Sequence, residues 1–194
     1  AYEEVYDVTD GTDNGLSSQN ISSTNQLGWV SPSYGGLQVT AGITPRSDAG
    51  ADSDNSWAVM YDAGDMVDGL AVGYGQAENG NTSEAETVYV TYTTGGLSFG
   101  YQDSTYDLTA ASGSDQDGTH LGVSFAVNEN LSVSTGRMDV EIGTSGSEEE
   151  NTGISASYTM GSMTISGFAN KVDNAGGTAG VTKEAKGVNV AFSF

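Results

Sequence analysis

Residues 184–194, EAKGVNVAFSF, are the stretch from which the rest of the chain is read. In extended backbone, successive side chains point to opposite faces. Val188, Val190, Phe192 and Phe194 therefore share one face, and Gly187, Asn189, Ala191 and Ser193 share the other. The first face is apolar and ends in two aromatics, and the second is small and polar. A strand of this kind suits the wall of a transmembrane β-barrel, with lipid against one face, water against the other, and an aromatic at the membrane boundary.

Working outward from that stretch, the same two-residue period recurs. Leu70, Val72 and Tyr74 alternate with Ala71, Gly73 and Gly75; Leu97, Phe99 and Tyr101 with Ser98, Gly100 and Gln102. Leu121, Val123 and Phe125 alternate with His120, Gly122 and Ser124, and Ile154, Ala156 and Tyr158 with Ser155, Ser157 and Thr159. The pattern predicts eleven strands: Ser23–Ser31, Leu37–Thr44, Trp57–Asp62, Leu70–Gln76, Thr87–Thr93, Leu97–Tyr106, Thr119–Val127, Leu131–Val140, Gly153–Met160, Met163–Lys171 and Lys186–Phe194. A soluble β-sandwich would also alternate. Its wet faces usually carry Lys, Glu and Arg. Here they carry Gly, Ser, Thr and Ala, with the charges expected in the loops.

The connections alternate in length. SPSYGG, DAGDMVDG, TTGG, NEN and GS are short; PRSDAGADSDNS, AENGNTSEAE, DLTAASGSDQDG, EIGTSGSEEENT and VDNAGGTAGVTKEA are long. Short turns at one end and long loops at the other match the periplasmic and extracellular ends of an outer-membrane barrel.

Composition narrows the field further. The chain carries 26 acidic and 5 basic residues, a formal net charge of −21, and no Cys. Disulfide frameworks and thiolate metal sites are excluded. The acidic balance argues against nucleic acid, and against anionic headgroups held through a basic patch. No apolar run is long enough for a transmembrane helix. One His and scattered loop acids offer no Ser-His-Asp set, no carboxylate pair and no phosphate loop, so the chain is not expected to be an enzyme.

The terminal GVNVAFSF, the segments GGLSFGYQDS and MGSMTISGFANKVD, and the acidic loops of alternating length resemble the general porins of the Gram-negative outer membrane, most closely the alphaproteobacterial type. The resemblance implies an all-β, antiparallel transmembrane barrel, 16-stranded when complete, assembled as a homotrimer and passing ions and small hydrophilic solutes. It places the chain in the lipid bilayer among lipopolysaccharide. It further implies that five N-terminal strands are lacking. Residues 1–194 would then form one porin domain, with 1–22 as an acidic inner-loop segment and 23–194 as barrel strands and loops. A rival count makes Tyr2–Thr9 a strand and closes a 12-stranded barrel.

By the same resemblance Glu3, Glu4 and Asp7 are candidate constriction acids. Arg137 is a candidate constriction base if a bulge at Gly136 turns it inward and puts Met138 and Val140 outside; strict alternation would point it into lipid. His120, Asn189 and Ser193 are candidate pore-wall residues. Tyr74, Tyr92, Phe125, Tyr158, Phe192 and Phe194 are candidate members of the aromatic girdles, and Lys171 is expected to snorkel toward headgroups. No cofactor is expected. Asp48, Asp52 and Asp54, or the run Glu148–Glu150, offer at most a loop-bound calcium. The alternative from another class is a soluble, acidic, calcium-binding surface adhesin or structural β-protein.

Overall fold

A computed structural model describes residues 27–45, 53–80, 83–108, 115–143 and 145–193. They form one sheet of eleven strands in sequence order. The strands are β1 (Leu27–Val30), β2 (Leu37–Thr44), β3 (Asp54–Asp62), β4 (Leu70–Asn79), β5 (Ser83–Thr94) and β6 (Leu97–Leu108). β7 (Gln116–Ala126), β8 (Leu131–Ile142), β9 (Glu149–Met160), β10 (Met163–Asp173) and β11 (Lys183–Phe192) complete it. Every sequential neighbour is antiparallel. Among the described residues, β1 and β11 are the two edges of the sheet.

The strands run further toward the long connections than side-chain alternation predicts. β4 continues to Asn79, β5 begins at Ser83, β8 reaches Ile142 and β9 starts at Glu149. Ladder bonds use only backbone groups, so they continue where the side chains have become charged. Part of the expected loop charge therefore lies on strands. At the other end the turns are tight. Gly95 and Gly96 alone separate β5 from β6, and Gly161 and Ser162 alone separate β9 from β10. Gly95 at φ 57° and Gly161 at φ 61° supply the left-handed backbone that such hairpins need.

Register assigns each side chain to a face. One row crosses the sheet through Tyr61, Val72, Val90, Tyr101, Leu121, Arg137, Thr152, Lys171 and Glu184. Its neighbours on that face are apolar toward the short turns and charged toward the long connections. Large apolar groups there are open: Val188 is 77% exposed, Ile154 60% and Phe192 58%. A contiguous apolar surface of that kind needs a hydrocarbon or protein partner.

The ladder corrects the expectation for Arg137. Leu121 pairs with Arg137 and Gly122 with Gly136, while Gly136 pairs with Gly153 and Arg137 with Thr152. The register passes Gly136 with no bulge, so Arg137 stays on the apolar face. Met138 and Val140 lie on the polar face and are fully buried, at 0% exposure. They need no lipid because other parts of the chain cover them.

Two aromatic rings lie over glycines on the polar face. Gly73 pairs with Tyr89 and Gly187 with Phe168, and a methyl group at either glycine would strike the facing ring. Gly73→Val is therefore expected to overpack this contact by about 1–3 kcal/mol and lower the thermal midpoint followed by circular dichroism in detergent. Adding Tyr89→Ala should recover most of the loss, because it removes the ring that the new side chain meets.

Candidate functional site: the polar wall and its strap

The polar face is built from small residues for a geometric reason. Gly100, Gly122, Gly136 and Gly153 sit abreast in one row on four successive strands. Without side chains this strip of wall is set back to the backbone. One row further toward the long connections stand Tyr89, Gln102, His120, Met138 and Asn151. Hydroxyl pairs tie neighbouring strands together along the same face: Thr87 with Ser104 at 3.0 Å, and Ser134 with Ser155 at 2.6 Å.

The connection from β10 to β11 folds back over this wall as a strap. Asn174 turns the chain with φ 54°, and Ala175–Gly177 continue as a tight turn in which Gly176 at φ 67° and Gly177 at φ 69° are also left-handed. The turn packs against β8 and β9, and Ala175 joins Val172 in a small apolar cluster. Glu149 pins it. This carboxylate is fully buried; one oxygen accepts the Gly176 N–H at 2.6 Å and the other accepts the Asn151 amide at 2.9 Å. Asn174 Nδ2 donates to the Glu148 carbonyl at 3.0 Å, and its Oδ1 accepts the Gly180 N–H at 3.0 Å.

The run Glu148–Glu150 is thereby split. Glu149 faces the wall, whereas Glu150 is on the opposite face, 2.8 Å from the Arg137 guanidinium. Alternation prevents the two from closing on one cation. No group of three or more His, Asp or Glu suited to a metal ion occurs among the described residues.

The other expected residues fall as follows. His120 and Asn189 stand on the polar face, paired with Gln102 and Ser166; Ser193 follows β11 and donates its N–H to Ser162. Tyr74, Tyr92, Phe125, Tyr158 and Phe192 are all on the apolar face. Tyr74 stacks at a tilt on Trp57, 5.3 Å between centroids, where the face turns polar; Trp57 Nε1 donates to Gln76 at 3.2 Å. Asp54 opens β3 on the polar face, opposite Thr44. Glu3, Glu4, Asp7, Asp48, Asp52, Phe194 and the rival strand Tyr2–Thr9 lie outside the described residues. Sequence reasoning missed the strap and its anchor. The signal was there: Met138, Val140 and Val172 are large apolar residues clustered near the long connections on a face of mostly small or polar groups, and Gly176–Gly177 follows at the next connection.

A sequence profile of the Gram-negative porin family matches residues 2–194. The chain belongs to that family. The porin resembles, at TM-score 0.66 and 16% identity, a loop L8 deletion mutant of OmpT, an outer membrane protein of Vibrio cholerae, covering 98% of this chain and 71% of that one. It also resembles the NanC porin, at TM-score 0.53 and 12% identity, over 87% of this chain and 92% of that one. At these identities the likeness is one of fold. Comparison with curated protein sequences returns no match. The protein is thus an outer-membrane β-barrel porin, embedded in the bilayer and passing solutes, and nothing in these comparisons supports the adhesin alternative.

Glu149→Ala in this porin should take the shared acceptor from the Gly176 N–H and from the buried Asn151 amide, costing about 1–3 kcal/mol. Hydrogen exchange at Gly176 should speed up while exchange along β6 and β7 does not. Glu149→Gln, which keeps an acceptor oxygen, should lose less.

Proposed function

We propose that this porin is a passive diffusion channel for ions and small hydrophilic solutes, mildly cation-preferring, homotrimeric and set among lipopolysaccharide. The observation that carries the proposal is the division of one continuous sheet into an exposed apolar face and a wall of Gly, Ser, Thr and Asn. A lumen needs such a wall, and conduction along it needs no catalytic group.

Cation preference is supported by the net charge of −21. A negative pore field concentrates cations and repels anions. Glu3, Glu4 and Asp7 remain the proposed constriction acids. His120, Asn189 and Ser193 are proposed as pore wall, and the five aromatics Tyr74, Tyr92, Phe125, Tyr158 and Phe192 as girdle, with Phe194. Arg137 leaves the constriction, because its face is the lipid face. The eleven strands are read as part of a larger closed barrel, completed by five further strands or by one built from the first residues.

Planar bilayers test the channel. Single-channel steps grouped in threes and a potassium-over-chloride reversal potential of cationic sign are expected; a potential at zero removes the ion preference. The faces are tested by neighbouring residues of β7. Val123→Arg should destabilise the porin by about 2–4 kcal/mol if it sits near the midplane, whereas Ser124→Arg should fold and lower cation preference. Equal tolerance of the two changes would contradict the assignment of faces.

A further inference from the structure

We propose that the apolar face of β8–β11 binds one anionic lipid, with its phosphate at Arg137, Lys171 and Lys186 and its acyl chains in the adjoining groove. The proposal rests on that face meeting the bilayer.

The placement of the bases is the first observation. The chain has only five Lys and Arg among 26 acids, yet three of the five meet here. Arg137 and Lys171 flank Thr152 in a single row, two strand spacings or roughly 10 Å apart. Lys186 pairs with Ala169, two residues below Lys171 on the same face. All three line one surface cavity of about 470 Å³, together with Leu121, Val123 and Ile154.

The second observation is the groove. A further cavity of about 600 Å³ runs on among Phe125, Val133, Ala156 and Gly167. Val123, Thr135, Ile154 and Ala169 line both cavities, so the two are continuous. Thr135, Ala156, Gly167 and Ala169 recess the wall between the larger Val123, Phe125 and Ile154. The result is an apolar channel that runs along the strands, the direction of an acyl chain, and ends at cations.

The third observation is the order of charge with depth. Each base is on the apolar side and its acid on the long-connection side. Arg137 Nε lies 2.7 Å from Asp139, Lys171 Nζ 2.5 Å from Asp173, and Lys186 Nζ 3.3 Å from Glu184. These pairs are exposed, with base side chains 51%, 47% and 70% accessible. Exposed pairs contribute little and exchange partners readily. A phosphate offers Arg137 a bidentate partner and the lysines strong acceptor oxygens. Asp139, Glu150 and Asp173 stand above the row of Arg137 and Lys171, with Glu184 level with that row at its edge, and they repel a free anion arriving from water. A lipid phosphate arrives from below, carried by its chains, and meets the bases first. That asymmetry selects a lipid over free phosphate.

The test is native mass spectrometry of the delipidated full protein in detergent, titrated with phosphatidylglycerol or with phosphatidylcholine of the same chains. The wild-type porin should prefer phosphatidylglycerol. Arg137→Gln with Lys171→Gln should reduce that preference about tenfold or more. Lys183→Gln, on the opposite face, should leave it unchanged. Gly167→Leu fills the groove at a position where an added Cβ meets only ordinary contacts; it should weaken both lipids, and it keeps the test open should the double variant not fold. Equal retention of the two lipids, full preference in the double variant, no effect of Gly167→Leu, or displacement by inorganic phosphate at matching concentration would each overturn the lipid site. Conductance of the wild-type protein is recorded in the same preparation. A conducting porin without lipid preference loses only this site, while a silent one loses the channel as well.

Discussion

A backbone amide in hydrocarbon has no water to bond, so a β-sheet can cross a bilayer only if its ladder is unbroken. Every other feature of this porin follows from that constraint. An unbroken ladder forbids slippage, and with a period of two it fixes which side chain meets lipid and which meets the lumen. The continuity of β7, β8 and β9 through Gly136 is the clearest case. A bulge there would have freed Arg137 from the apolar face at the cost of ladder bonds in the middle of the wall. The chain keeps the bonds instead. It places Arg137 where a long side chain can lift its charge toward Asp139 and Glu150.

The same constraint decides what was legible in the sequence. All eleven strands could be read, because alternation is imposed on every pair of residues by the two solvents. β11 and β7 announced both faces without ambiguity. The ends of strands were less legible. Beyond the hydrocarbon, water meets both faces and alternation loses its cause, while the ladder continues. Glu78, Glu84, Asp107, Asp117 and Glu141 therefore sit on strands but read as loop. The strap was illegible for another reason. Its anchor joins Glu149 to Gly176, far apart in sequence, and a single carboxylate within EEE carries no local mark of burial. The clustered bulk of Met138, Val140 and Val172, on a face of mostly small or polar residues, hinted that something covered them.

Charge is sorted by face as well as by height. On the apolar side the carboxylates gather toward the long connections, where their separation from hydrocarbon makes them inexpensive, and three bases mark the boundary. On the polar side Glu149 is buried, held by an amide and a backbone N–H rather than by a cation. A backbone donor suits a strap, because it binds the carboxylate only in one backbone geometry. It couples the charge of the wall to the shape of the loop. A lysine in its place could follow the carboxylate through many loop conformations and would define none of them.

Strand direction places one more constraint on the wall. Neighbours are antiparallel throughout, so the first and last of eleven strands run in the same direction. Joining β1 directly to β11 would make a parallel seam, whereas single-chain bacterial barrels close with an even number of antiparallel strands. Antiparallel closure of the described sheet would take an odd number of strands between β1 and β11, as the proposed one or five would supply. The polar wall bears on the choice. A barrel gains diameter with each strand, and the strap already occupies the upper face of β8 and β9. A narrow closure would leave the strap most of the lumen to block, and a wide one would leave a water path beside it. A strap that is fixed in place, rather than free to swing, is therefore compatible with a conducting pore only if the wall opposite β8 and β9 stands well clear.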